Sequence, residues 1–256
     1  MRILVTNDDG FNACGLAALV KVLTRKHDVF VCAPKENQSA VAHGLTISSL
    51  LYPERVQIPG SNNVTAFCVN GTPADCVRAA IGNLGCRPDI VISGINQAPN
   101  LGTDALYSGT VAAASEAAML GIRAIAVSKD GDNTEYFEDT AEVFYENLDS
   151  FINCLDSDHR LLNVNFPSLP REKLRGIRTG NFAEQVYPVE FDIVPGKNGA
   201  PDGLLSSSLK LTVCGENDTT DEKRVRDGYI AVTPLTYDLT DYERMKTVKH
   251  LIERDF

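Results

Sequence analysis

Two carboxylates stand side by side at the end of the first apolar run, in Thr6-Asn7-Asp8-Asp9-Gly10. Adjacent carboxylates repel, and a hard divalent cation that takes oxygen ligands from both removes the repulsion. Neighbouring side chains point to opposite faces inside a strand, but a strand exit frees both to converge. Gly10 allows the tight backbone this needs. The competing reading is an Asp-Asp-Gly surface turn. A second polar loop is Ser93-Gly94-Ile95-Asn96, followed by Asn100-Leu101-Gly102. Asn96 offers a neutral oxygen ligand there, or is simply a turn asparagine. A third is Tyr107-Ser108-Gly109-Thr110, which opens an Ala-rich helix. A helix start presents unpaired N–H groups and the positive end of the dipole, which suit phosphate. Ser108 and Thr110 add hydroxyls, and Gly109 lets the backbone approach; an ordinary N-cap is the alternative. Ser39 lies in the loop after the second apolar run and is a further oxygen donor. His43 follows it, and a lone histidine of this kind reads as structural rather than catalytic. Together the loops make an oxygen-only metal site beside an anion cradle, which is chemistry suited to phosphoester hydrolysis.

These loops need elements that bring them to one place. Residues 3–6, 29–32, 89–93 and 124–128 are short apolar runs and read as buried strands. Between them, residues 15–26, 72–84 and 110–120 carry apolar positions at helical spacing. Thr72 is expected as an N-cap with Pro73 at the first helical position. Residues 138–153 are expected as one long helix. Unbroken apolar strands joined by helices imply an α/β fold, with a mostly parallel, Rossmann-like sheet covered on both faces. In such a sheet ligands bind outside the carboxyl ends of the strands, where the three polar loops would emerge. The second half is β-rich, at 161–166, 186–193, 209–213 and 229–234, and closes with a polar helix over 241–253. The expectation is a single domain over 1–256, with a core to about residue 130 and a C-terminal extension from about 160. Residues 185–194 are open between an arm that pairs with another subunit and a lid.

The bulk properties narrow the class. The chain has 256 residues, 43% hydrophobic, with a formal net charge of −10. A nucleic-acid binder carries a basic stripe, and no run of Lys or Arg occurs here, so long nucleic acids are not expected partners. Much of the acidity lies between Lys129 and Arg160, where ten Asp or Glu face two basic residues. That stretch reads as a solvated helix face. Seven cysteines are scattered without a C-x-x-C pair, and read as reduced, buried thiols. No apolar stretch approaches the ~18 residues of a membrane span, and the chain enters a strand directly. A cytoplasmic protein without signal peptide or membrane helix is therefore expected. No Gly-x-Ser-x-Gly or Gly-Lys-Ser/Thr element is present, the four histidines lack metal spacing, and no Gly-x-Gly-x-x-Gly follows the first strand.

Beyond the loops already described, Gly71-Thr72-Pro73-Ala74-Asp75, Leu162-Asn163-Val164-Asn165-Phe166-Pro167 and Gly228-Tyr229 with Val232-Thr233-Pro234-Leu235 complete an ordered series. The series resembles the SurE-type survival-protein nucleotidases over nearly the whole chain. The resemblance implies 5′- and 3′-nucleotidase activity on nucleoside monophosphates, with some members trimming short polyphosphate, and a C-terminal extension that builds homodimers or homotetramers. It implies one divalent ion of the Mg²⁺ or Mn²⁺ class, held by Asp8, Asp9, Ser39 and Asn96. Phosphate contacts would come from Ser108, Gly109, Thr110 and Asn96. Asp8 and Asp9 would be the catalytic pair, with Asp9 favoured to take a proton from the attacking water. Three departures bear on loop shape and substrate access. They are Ala40 where Gly is usual, Ala98-Pro99 inside the usual Asn-x-Gly-x-Asn, and Glu116-Ala117 where Glu-Gly is common. A nucleotide-sensing scaffold that binds without turnover is one rival reading; a phosphotransferase or dinucleotide-dependent enzyme on the same sheet is a second, disfavoured by the missing Gly-x-Gly-x-x-Gly.

Overall fold

The computed structural model describes residues 1–61, 64–131, 133–188, 190–196, 202–206, 212–213 and 217–253. In chain order its elements are β1 (Arg2–Thr6), α1 (Cys14–Leu23), β2 (Asp28–Pro34), β3 (Pro53–Arg55), β4 (Thr65–Val69), α2 (Pro73–Gly82), β5 (Ile90–Asn96), α3 (Gly109–Met119) and β6 (Arg123–Lys129). They continue with α4 (Phe137–Glu146), α5 (Leu148–Asn153), β7 (Leu161–Phe166), β8 (Ile177–Thr179), β9 (Gln185–Val186), β10 (Phe191–Val194), β11 (Gly203–Ser206), β12 (Thr212–Val213), α6 (Asp221–Arg226), β13 (Ile230–Leu235) and α7 (Tyr242–Ile252).

A nine-stranded sheet runs in the order β3-β4-β2-β1-β5-β6-β7-β13-β8. The six consecutive strands from β4 to β7 are parallel; β3 and β13 pair antiparallel to their neighbours β4 and β7. The strand order reverses between β1, which continues to β2, and β5, which continues to β6. That is the switch point at which ligands bind in open α/β sheets.

The period-2 alternation of a strand explains why its central residues are all apolar. Ile3 and Val5 of β1, with Ile90 and Ile92 of β5, join a cluster with Leu16, Leu19, Phe144 and Phe151 on one face. Leu4 and Val91 point the other way, onto Val77, Ala113 and Ala117 of α2 and α3. Small residues let α3 lie close: nine of its eleven residues are buried. Thr72 and Asp75 form a reciprocal capping box at the start of α2, with Pro73 in its first turn, as the sequence implies.

Several boundaries differ from the sequence reading. The expected helix over 138–153 is two helices, broken at Asn147, whose side-chain amide donates to the Val143 carbonyl at 2.8 Å and competes with the backbone ladder. β2 runs through Pro34, two residues past the expected 29–32. Pro34 lacks only a donor, and its carbonyl still accepts from Phe11 N–H at 3.0 Å. The expected strand 186–193 is interrupted around Pro188, leaving β9 and β10. Of 209–213, residues 209–211 lie outside the described residues. The strands β7 and β13 are part of the main sheet, so the sheet takes in both halves of the chain. Of the described cysteines, Cys32, Cys68, Cys76 and Cys86 are buried thiols, whereas Cys14 and Cys154 are exposed. No helix among the described residues is long and apolar enough to cross a membrane.

Candidate active site at the switch point

The turn after β1 is shaped by two features: Gly10 at φ +100°, and the Asn7 side-chain amide donating to the Gly10 carbonyl at 2.9 Å. This turn presents Asp8 and Asp9 at the carboxyl end of the sheet. Gln38 N–H donates to the Asp8 carbonyl at 2.8 Å and brings the loop carrying Ser39 over the same end. Asn96 ends β5, the strand on the other side of the switch point. Gly94 in that strand has φ +139°, and a Cβ on it would meet the Val127 carbonyl oxygen at 2.2 Å, so only glycine fits there. The next loop is anchored from below: Asn100 N–H donates to Asn165 Oδ1 at 2.8 Å, and Asn163 Nδ2 donates to the Asn100 carbonyl at 2.7 Å. The result is a cleft of about 440 Å³ lined by Asp8, Asp9, Ser39, Asn96 and Ser108, together with Ala98, Pro99, Asp104, Tyr107 and Tyr187.

Asp8 is buried and Asp9 half-buried. Burial is the main cause that lifts the Asp8 carboxyl from 3.8 to about 6; hydrogen bonds from Thr110 work against it, and the nearby charge of Asp9 adds to it. Asp9 is raised for the same reason, partly offset by Gln97 N–H, which donates to Asp9 Oδ2 at 3.2 Å. Neither carboxylate has an ion-pair partner among the described residues. The Asn96 amide nitrogen donates to the Ala98 carbonyl at 2.6 Å, which leaves its oxygen as the group to offer. Just below, the buried oxygens Thr6 Oγ1, Asn7 Oδ1 and Ser93 Oγ have no partner among the described residues. No group of three His, Cys, Asp or Glu forms a metal cluster among the described residues. The donor set here is instead two carboxylates, one amide oxygen and one hydroxyl. All are hard oxygens, and two are carboxylates disfavoured as bare anions, a set that suits a Mg²⁺- or Mn²⁺-class ion.

The start of α3 differs in part from the sequence reading. Ser108 is the N-cap, its Oγ accepting from Val111 N–H at 3.1 Å, and it lines the cleft. Thr110 does not line it. Its hydroxyl donates to Asp8 Oδ1 and its N–H to Asp8 Oδ2 at 3.1 Å, so both donors expected for phosphate are directed at a carboxylate. Gly109 also sits behind Asp8; a Cβ on it would lie 2.8 Å from Asp8 Cβ and 3.0 Å from Pro73 Cγ. This close approach of α3 to β1 is what lets Thr110 reach Asp8. His43 stands away from the cleft: its Nε2 lies 2.8 Å from Glu116 Oε2, and Arg78 donates to the other Glu116 oxygen at 2.7 Å. Its role is to hold the loop after β2 to α3. Ala40, where the resemblance has glycine as the usual residue, has φ +60°, the left-handed region that favours glycine. Sequence reasoning missed Asp104, Tyr107 and Tyr187 on the cleft wall. Asp104 and Tyr187 are 83 residues apart, and no local pattern links them.

A doubly wound sheet that gathers two carboxylates without an ion-pair partner among the described residues, an amide oxygen and a hydroxyl beside a helix start at its switch point defines an α/β protein with an oxygen-lined cleft there. The chain belongs to the SurE family: the family model described as Survival protein SurE matches residues 3–188. It is 37% identical to a protein of Alkaliphilus metalliredigens named 5′-nucleotidase SurE, over 98% of each chain. It is 36% identical to a protein of the same name from Haemophilus influenzae, over 100% of this chain and 99% of the relative. The crystal structure of the SurE protein from Aquifex aeolicus superposes with a TM-score of 0.81 at 33% identity, over 98% of this chain and 99% of that one.

Proposed function

We propose that the chain is a divalent-cation-dependent phosphomonoesterase that releases phosphate from nucleoside 5′-monophosphates, acts also on 3′-monophosphates, and extends to short polyphosphate. The observation that carries this reading is the pair of buried Asp8 and half-buried Asp9, without a protein cation among the described residues, on one cleft with the N-cap of α3. Asp8, Asp9, Ser39 and Asn96 hold the ion. When bound, the ion supplies charge neutralisation for the phosphoryl group and a more acidic water. Thr110 fixes both oxygens of Asp8, so Asp8 is a positioned ligand rather than a base. Asp9 keeps one oxygen without a donor among the described residues, and it takes the proton from the attacking water. The Ser108 hydroxyl and the Gly109 N–H, the first amide of α3, receive the phosphate oxygens, with the helix dipole favouring the anion. Thr110 acts on the phosphate only through Asp8 and is a positioning residue. Water oxygen joins phosphorus as the ester P–O bond breaks; the nucleoside oxygen takes a proton from solvent, and Asp9 returns its own to solvent.

The extension joins copies of the chain into a homodimer or homotetramer. Support comes from its uncovered apolar side chains, among them Ile193 at 70% and Leu204 at 72% exposure in the β10–β11 hairpin and Leu251 at 74% in α7. The enzyme works in the cytoplasm.

The test is phosphate release from AMP and from 3′-AMP with Mn²⁺ or Mg²⁺. Release with either ion, abolished by EDTA and restored by excess ion, is expected. Nucleotide binding without release would favour a sensing protein and remove this reading.

A further inference from the structure

One wall of the cleft is unused by the chemistry above. Tyr187 follows β9, and its hydroxyl donates to Asp104 Oδ1 at 2.5 Å. Its ring meets that of Tyr107 edge to face, with centroids 5.6 Å apart and planes at 72°. Both rings and Asp104 line the cleft that holds Asp8, Asp9 and Asn96. Neither ring belongs to the sheet, yet the segment carrying Tyr187 is fastened at several points. Thr103 N–H donates to the Ala183 carbonyl at 3.1 Å and Gln185 N–H to Thr103 Oγ1 at 3.1 Å. Buried Asp221 accepts from Gly102 N–H at 2.8 Å and Ala183 N–H at 3.0 Å, clamping the two segments together.

A phosphate fills little of a cleft of about 440 Å³. That volume lies in the range of sites for whole small organic ligands, roughly 300–1,000 Å³. The acidic end takes the cation and the phosphoryl group. The remaining wall is a corner of two aromatic rings set edge to face, on which a planar heterocycle can lie flat against one ring and meet the edge of the other. We propose that the Tyr187 ring, held in place by Asp104 and backed by Tyr107, is the platform on which the nucleobase of the substrate stacks. Tyr187 is then a specificity-determining residue supplied by the C-terminal half, and Asp104 is a positioning residue. This rests on the nucleotidase reading above.

The test compares AMP with ribose 5-phosphate, which keeps the sugar and phosphate and lacks the base, on the full chain with Mn²⁺. Wild type favours AMP in kcat/KM, and Tyr187→Leu lowers that preference about tenfold, mainly through KM for AMP. Tyr187→Phe keeps the ring but breaks the same bond to Asp104, so it raises KM for AMP as Asp104→Ala does, and by less than Tyr187→Leu. Asp104→Ala, which unlatches the ring, raises KM for AMP while kcat stays within about twofold, a split that general loss of structure does not give. Thermal melting checks each variant. Should Tyr187→Leu not fold, a matching rise of KM for AMP in Tyr187→Phe and Asp104→Ala carries the test. An unchanged preference in the folded Leu variant, or in Asp104→Ala, overturns the proposal. If wild type releases phosphate from neither compound, the hydrolase reading fails, and calorimetry with Mn²⁺ decides the stacking alone. AMP bound about tenfold tighter than ribose 5-phosphate, with the difference lost in Tyr187→Leu, sustains the platform; equal affinities overturn it.

Discussion

Burial lifts the Asp8 carboxyl to about 6, and Thr110 offsets this only in part. An acid whose folded pKa lies above its unfolded value binds more protons when folded. Its contribution to stability is therefore fully present below about pH 4 and is lost as pH rises through about 6. Holding this carboxyl ionised in the folded, metal-free protein costs on the order of 2–3 kcal/mol at neutral pH. Asp8→Asn is predicted to remove that cost: urea unfolding of the metal-free variant shows higher stability than wild type at pH 7, with the difference vanishing near pH 4. The same variant loses cation-dependent phosphate release, because the amide is a poorer ligand. At Ala40 the φ of +60° places a Cβ in the left-handed region, which costs an L-residue roughly 1–2 kcal/mol. Ala40→Gly recovers part of this against the greater freedom of glycine in the unfolded chain. A gain of about 0.5–1 kcal/mol in denaturant unfolding is expected, and a loss would show that Ala40 is not strained.

At the scale of elements, the site depends on two helix starts packed against β1. Thr72 caps α2 through Asp75 N–H, and its hydroxyl also donates to the Gly44 carbonyl at 2.8 Å, so one side chain holds both helix and loop. Thr72→Ala is predicted to cost about 1–2 kcal/mol in denaturant unfolding; a change under about 0.5 kcal/mol would contradict the dual role. Gly109→Ala drives a methyl against Asp8 Cβ, 2.8 Å away. It is predicted to weaken Mn²⁺ binding at least tenfold in calorimetry while far-UV circular dichroism stays unchanged. These elements were largely legible in the sequence. The apolar runs of β1 and β5 announce buried parallel strands, Thr72-Pro73 announces a cap, and Asp8, Asp9 and Asn96 fall where such strands end. The rest is set by tertiary packing. A helix start with a Ser, a Gly and a Thr reads as an anion cradle, and only the approach of α3 to β1 turns Thr110 onto Asp8. Asn147 breaks a helix whose apolar spacing continues across it, because its side chain bonds Val143. Tyr187 lies in a stretch without periodicity, and its place on the cleft follows from bonds to residues 102–104.

The whole molecule carries more surface than a monomer of its mass needs. A compact chain of 27.8 kDa exposes about 11,000 Å², whereas this one exposes 14,134 Å². Exposed apolar side chains on the β10–β11 hairpin and α7 account for part of the excess and suit burial between copies. Light scattering is predicted to give a mass at least twice that of the chain, lowered by Leu251→Glu with Ile252→Glu; a monomer at high protein concentration would contradict it. The net charge of −10 has a second consequence, since an acidic molecule repels an anionic substrate unless a cation stands in the cleft. On the function proposed above, turnover would depend on that cation. Paramagnetic resonance of Mn²⁺ titrated into the metal-free protein tests this most directly. The prediction is one tightly bound ion per chain in wild type and none in Asp9→Asn; undiminished binding in Asp9→Asn, or no bound ion in wild type, would contradict it.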